Sequence, residues 1–148
     1  MPRQSKPRWP GGAERAEIDV EQRPAIRLVI EEPDPARQLH AYAATQPGVW
    51  SRVGPLLRVL DSAAVGDPEL AEIQRRHADQ RLNGLRRFAQ LLADRGALRA
   101  DLTPERAAHL IATVCAQADY DSLVTNLGWT HAEYCDWLAR ALIASLLP

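Results

Sequence analysis

An all-α helical bundle is the fold this sequence predicts, and three features predict it. First, helix-start signatures recur along the chain at Asp34-Pro35, Asp67-Pro68, Thr103-Pro104-Glu105 and Thr130-His131-Ala132-Glu133. Each offers a side-chain oxygen to the free N–H groups of a first turn, and a proline at the first helical position forfeits no hydrogen bond. Second, Gly96 follows Arg95 and Gly128 follows Leu127, as glycines do where helices end. Leu98 and Trp129 stand where the accompanying hydrophobic contact would form. Third, no stretch shows the alternation or the β-branched enrichment of a strand.

The elements follow in order. Residues 1–22, MPRQSKPRWPGGAERAEIDVEQ, are interrupted by Pro2, Pro7, Pro10, Gly11 and Gly12 and are expected to form a flexible leader. Residues 23–148 are expected to form one domain. A short helix covers about Pro24–Glu31. A long one starts at Asp34 and runs to about Ala64, with a break or kink expected at Pro47-Gly48. The third spans Asp67 to Arg95, with Leu82, Leu85, Phe88, Ala89 and Leu92 on one stripe. The fourth is expected to run from Thr103 to about Leu127, and the fifth from Thr130 to the C-terminus. That last helix is apolar nearly all round from Tyr134 to Leu147, so it needs cover on more than one side. A symmetric partner would supply the cover, which suggests a homodimer through the C-terminal helices. A central place in a monomeric bundle is the other solution.

Composition bounds the function. The chain has 148 residues, 46% hydrophobic and 25% charged, which is ordinary for a globular domain able to build a core without disulfides or metals. A formal charge of −1 gives no global basic excess for phosphate-backbone binding. No apolar run is long enough for a membrane span, and residues 1–22 hold no signal-peptide core. The expectation is a cytoplasmic protein with no membrane partner. Cys115 and Cys135 form no CxxC pair and are read as free thiols in preference to one disulfide.

No catalytic constellation emerges. His40, His77, His109 and His131 have no metal-ligand spacing, and no glycine loop stands between a strand and a helix to cradle phosphate. Glu31, Glu32 and Asp34 read as capping and turn charge. The chain is therefore expected to be no enzyme and to need no cofactor or metal. Tyr42, Trp50, His77, Phe88, Gln117 and Tyr120 fall where they could face inward, as an apolar pocket with a few polar anchors requires.

The run DLTPERAAHLIATVCAQADYDSLVTNLGWTHAEYCDWLARALIASLLP resembles the C-terminal regulatory domain of the TetR/AcrR family of transcriptional repressors. The matching features are a T-x-E-x-A-A helix start at Thr103, then Tyr120, Gly128, Trp129, Thr130, Tyr134, Trp137, Leu138 and the closing Leu146-Leu147-Pro148. The pieces EPDPARQLHAYA, RVGPLLRVLDSAA, DPELAEI and RLNGLRRFAQLLADRGALR are similar too, so the resemblance covers roughly residues 24–148. It implies a four-helix dimer interface, here with Tyr120, Leu123, Trp129, Tyr134, Trp137, Leu138, Ala141, Leu142 and Ser145. It also implies a pocket for a small apolar or amphipathic inducer, here with Tyr42, Trp50, Leu57, His77, Phe88, Val114 and Gln117. The chain departs from the family at its start, because residues 1–22 are too short and too rich in Pro and Gly for the N-terminal helix-turn-helix. It departs again at Pro47-Gly48, where the family pattern implies an unbroken helix. The expected function is a small-molecule-sensing and dimerisation domain without its own DNA-reading head, reaching DNA only through a missing N-terminal domain. The alternative is a headless interaction protein that forms mixed dimers with full-length TetR-like regulators.

Overall fold

The computed structural model describes residues 23–148. The expected leader over residues 1–22 lies outside the described residues. The chain is an all-α bundle, with no strand among the described residues. Its elements are α1 (Pro24–Glu31), α2 (Pro35–Ala64), α3 (Pro68–Asp94), α4 (Pro104–Val114), the single turn α5 (Gln117–Tyr120) and α6 (His131–Leu146). Between α5 and α6 the backbone winds as a π-helix over Asp121–Asn126.

All four expected caps form. Asp34 Oδ1 accepts from the Arg37 amide at 2.8 Å, and Asp67 Oδ1 from the Glu69 amide at 2.9 Å. Thr103 Oγ1 accepts from the Arg106 amide at 3.2 Å. At Thr130 the capping box is reciprocal: its hydroxyl accepts from the Glu133 amide, and Glu133 Oε2 accepts from the Thr130 amide at 2.8 Å. Both glycine ends also form, with φ of 66° at Gly96 and 75° at Gly128. Around Gly96 the pair Gly96 N→Ala93 O and Ala97 N→Leu92 O is the full Schellman arrangement. Ala97 takes the buried position there, and Leu98 packs beside it on the core.

Two expectations are corrected. The first is the break at Pro47-Gly48, which does not occur: α2 is helical throughout. Pro47 lacks an N–H and leaves the Ala43 carbonyl without its usual donor. The Cys135 thiol on α6 donates to that carbonyl at 3.6 Å, so the lost bond is replaced from outside the helix. The second is the single helix from Thr103 to Leu127. It ends instead at Val114, and Ala116 is extended with ψ 145°. The Arg81 guanidinium of α3 donates to the Cys115 carbonyl at 3.0 Å and to the Ala112 carbonyl at 3.5 Å. A cation at the negative end of a helix stabilises that end. No glycine or proline marks the stop, because the capping group comes from another helix.

The core gathers Leu39, Ala43 and Trp50 of α2, Leu85, Ala89 and Leu92 of α3, and Ala107, Ala108 and Ile111 of α4. Tyr134, Leu138, Leu142 and Leu146 of α6 complete it, each fully buried. Arg81 also covers the Trp50 ring, with its guanidinium carbon 5.4 Å from the ring centre. The same group thus fixes α2, α3 and the end of α4. Arg81→Leu is expected to lose about 2 kcal/mol, from the stranded carbonyls and the lost cation–π contact. Urea unfolding measures this, and an unchanged midpoint would contradict the role given to Arg81.

Candidate functional site

The apolar side of α1 follows from Ile26, Val29 and Ile30, spaced at i, i+3 and i+4. Side chains from elsewhere hold this short helix by its C-terminal carbonyls. Gln38 Nε2 donates to Val29 O at 2.9 Å, and Arg95 donates to Ile30 O at 2.6 Å and to Glu32 O at 2.7 Å. Clamped in this way across α2 and α3, α1 becomes the wall of a cavity of about 320 Å³. That size lies at the lower end of the range for small-molecule sites.

Tyr42 of α2 and Phe88 of α3 form one side of the cavity, their rings stacked with centroids 4.8 Å apart. Leu85 and Leu91 continue the apolar lining on α3. Gly84 opens one edge because it has no side chain, and Arg87 supplies the charged group of the lining. The surface is apolar with one cation. Among the described residues, no group of three or more His, Cys, Asp or Glu side chains is placed to hold a metal ion.

Behind this wall lies a set of buried protonated groups. Burial pushes the Tyr42 hydroxyl far above the ordinary phenol range, and the neighbouring Cys115 thiol adds to the effect. Burial likewise pushes the Cys115 thiol up to about 12, and it raises the Tyr134 hydroxyl and the Cys135 thiol. Both cysteines are free, and the buried Cys115 stays a thiol across the physiological range instead of becoming a nucleophilic thiolate.

Of the residues expected to line a pocket, Tyr42 and Phe88 meet at the cavity. Trp50 is buried under Arg81. Gln117 donates its amide to the Gly54 carbonyl at 2.9 Å, tying α5 to α2. A Cβ at Gly54 would stand 3.1 Å from that amide nitrogen, a tight approach that would push the Gln117 side chain by a few tenths of an ångström. Leu57 and Val114 pack against the core, and His77 is half-buried on α3, all three outside the cavity lining. Ile26, Val29, Ile30, Gly84, Arg87 and Leu91 line it without having been singled out, and Leu85 does so from the apolar stripe on α3. The apolar spacing on α1 was the available signal.

The residues expected at a dimer interface divide in two. Tyr120, Tyr134, Leu138 and Leu142 are covered by their own chain. Tyr120 stacks edge-on against Tyr134 at 5.3 Å, and its hydroxyl meets His131 Nε2 at 3.1 Å. Trp137, Ala141 and Ser145 lie four residues apart along α6, half-buried, and Leu123 and Trp129 are half-buried as well. A shallow groove of about 200 Å³ runs beside them, between Trp129, Glu133, Asp136 and Arg140.

No helix among the described residues is long and apolar enough to cross a membrane. No family model, curated protein or solved structure matches the chain.

Two outcomes follow from this geometry. The Cys115 and Tyr42 protons are bound more tightly in the folded chain than in the unfolded one. Their stabilisation is therefore complete below about pH 9, the ordinary thiol value, and is lost as pH rises towards about 12. Urea unfolding is expected to show stability falling through that interval, and a flat profile would contradict the burial of these groups. At Gly84 a Cβ would meet only the far end of Arg87, at 4.0 Å. Gly84→Ala is therefore expected to raise stability by about 0.5–1 kcal/mol through helix propensity, measured by the same unfolding.

Proposed function

We propose that this chain is the small-molecule-sensing and dimerisation domain of a TetR-type transcriptional regulator. The observation that carries the reading is the partly open apolar cavity bounded by α1, the first half of α2 and the second half of α3, with the Tyr42–Phe88 stack on one side. The order and spacing of its helix starts and of the Gly128-Trp129-Thr130 segment support the same family. The ligand is a small apolar or amphipathic molecule, since the lining offers hydrophobic and aromatic surface and one guanidinium. DNA enters this reading only through a helix-turn-helix domain, and none of the described helices is assigned to one. The dimer uses the outer side of α6, centred on Trp137, Ala141 and Ser145 with Trp129 beside them.

A fluorescent probe with an apolar body and an anionic head, 1-anilinonaphthalene-8-sulfonate, tests the cavity. Saturable one-to-one binding is expected for the full chain, with loss of at least tenfold in affinity in Gly84→Leu, whose side chain fills the opening. Tenfold corresponds to about 1.4 kcal/mol. Equal binding by the variant, at an unchanged melting temperature, would remove the cavity from the reading. Trp137→Glu tests the α6 face separately. A charge buried there is costly without a partner, so dissociation is expected by sedimentation, and a variant that keeps the wild-type mass would contradict the face.

A further inference from the structure

The donors and acceptors around the cavity between α1, α2 and α3 restrict what it can hold. Apart from Arg87 the lining is aliphatic and aromatic, and none of the described residues that line it is acidic. The other polar atoms at its border are already engaged. The Val29 carbonyl accepts from Gln38 at 2.9 Å, and the Ile30 carbonyl accepts from Arg95 at 2.6 Å. The Tyr42 hydroxyl stands behind the wall, beside the Cys115 thiol. A ligand in the cavity therefore meets N–H donors at Arg87 and no side-chain acceptor among the described lining residues.

Those donors stand at the mouth. Gly84 opens one edge of the cavity, and the Arg87 Nη2 atom lies 4.0 Å from where a Cβ on Gly84 would be. The cation thus sits at the open edge, with Ile26, Ile30 and Leu91 forming the apolar wall beyond it. A guanidinium carries five N–H donors. Two of them can meet a pair of ligand oxygens while the rest keep the contact that Arg87 makes within the chain.

This arrangement selects a chemistry. An ammonium or an amide would bring N–H groups into a space with no acceptor for them, and an unsatisfied buried donor is costly. A carboxylate brings acceptors alone, and its two oxygens match the fork of one guanidinium. A phosphate dianion carries more charge than a single guanidinium answers. The body of the ligand is set by the walls. The Tyr42 and Phe88 rings lie 24° from parallel and spend one face each on the other. Most of the remaining surface is aliphatic, which suits a hydrocarbon chain, and about 320 Å³ keeps that chain short.

We propose that the cavity binds a medium-chain aliphatic carboxylate, its chain against Ile26, Ile30 and Leu91 and its carboxylate on Arg87 at the mouth. The carboxylate class rests on the reading of this cavity as a ligand site and narrows that reading to one chemistry. Each CH₂ removed from water tightens binding about fourfold until the cavity is full. The guanidinium then separates the carboxylate from neutral and cationic molecules of the same length.

Calorimetric titration of the full chain with octanoate, octan-1-ol and octylammonium tests the proposal. Octanoate is expected to bind one-to-one and about tenfold tighter than octan-1-ol, as a charge-assisted hydrogen-bonded pair provides. Octylammonium is expected to bind more weakly than the alcohol. In Arg87→Gln the octanoate affinity should fall to that of octan-1-ol, with the alcohol unchanged. Arg87 is exposed, so the variant should melt near the wild-type temperature; if it melts early, Arg87→Met replaces it with the same readings. An alcohol or ammonium that binds as tightly as octanoate overturns the carboxylate class and leaves the cavity as a ligand site. A preference for octanoate that survives in Arg87→Gln does the same. Saturable binding of none of the three overturns both the class and the cavity reading.

Discussion

The architecture depends on α2 remaining one helix despite two internal prolines. Helices α1, α3, α5 and α6 all pack against it. A proline inside a helix removes one hydrogen bond and costs on the order of 3 kcal/mol. At Pro47 the neighbour that docks there replaces the lost bond. The thiol of Cys135 takes the carbonyl that Pro47 leaves open, and Gln117 reaches the backbone at Gly54, next to Pro55. Arg58 adds a two-oxygen contact to Asp121 one turn further along. The weak points of α2 are therefore also the points where α6 and α5 attach. Arg81 complements this from the α3 side by ending α4 and covering Trp50.

Most of the helix boundaries were legible in the sequence because local chemistry sets them. Asp34, Asp67, Thr103 and Thr130 cap within three residues of themselves, and Gly96 and Gly128 adopt the left-handed conformation that a side chain disfavours. The misread boundaries were those set at a distance. Nothing near Cys115 announces the end of α4, since its capping guanidinium comes from a residue 34 positions earlier in sequence. Pro47 looks like a break until Cys135 is brought to Ala43, 92 positions earlier in sequence.

The site was legible only in part, for the same reason. Tyr42 and Phe88 stood out as aromatics on inward faces, and they meet. Gln117 stood out as a polar anchor, but its amide is used in holding α5 to α2. The wall of the cavity depends on α1, whose placement rests on Gln38 and Arg95 reaching its carbonyl end, and neither contact leaves a local trace. The α6 helix was read correctly as apolar on most sides. Its own chain covers Tyr134, Leu138 and Leu142, and a narrower half-buried stripe of Trp137, Ala141 and Ser145 remains on the outer side.

A sensing domain needs a space that a ligand can enter and an element that feels its presence. In the proposed reading α1 would serve both, since it walls the cavity with three aliphatic side chains and is held by a few polar contacts at one end. The most direct measurement is a crystal structure of the chain under xenon pressure, because xenon occupies apolar cavities without needing a specific ligand. Xenon bound between α1, α2 and α3, against Phe88 and Leu91, is the result predicted here. A site filled by ordered water, or closed by α1 packing directly onto Phe88, would contradict the cavity on which the proposed function rests.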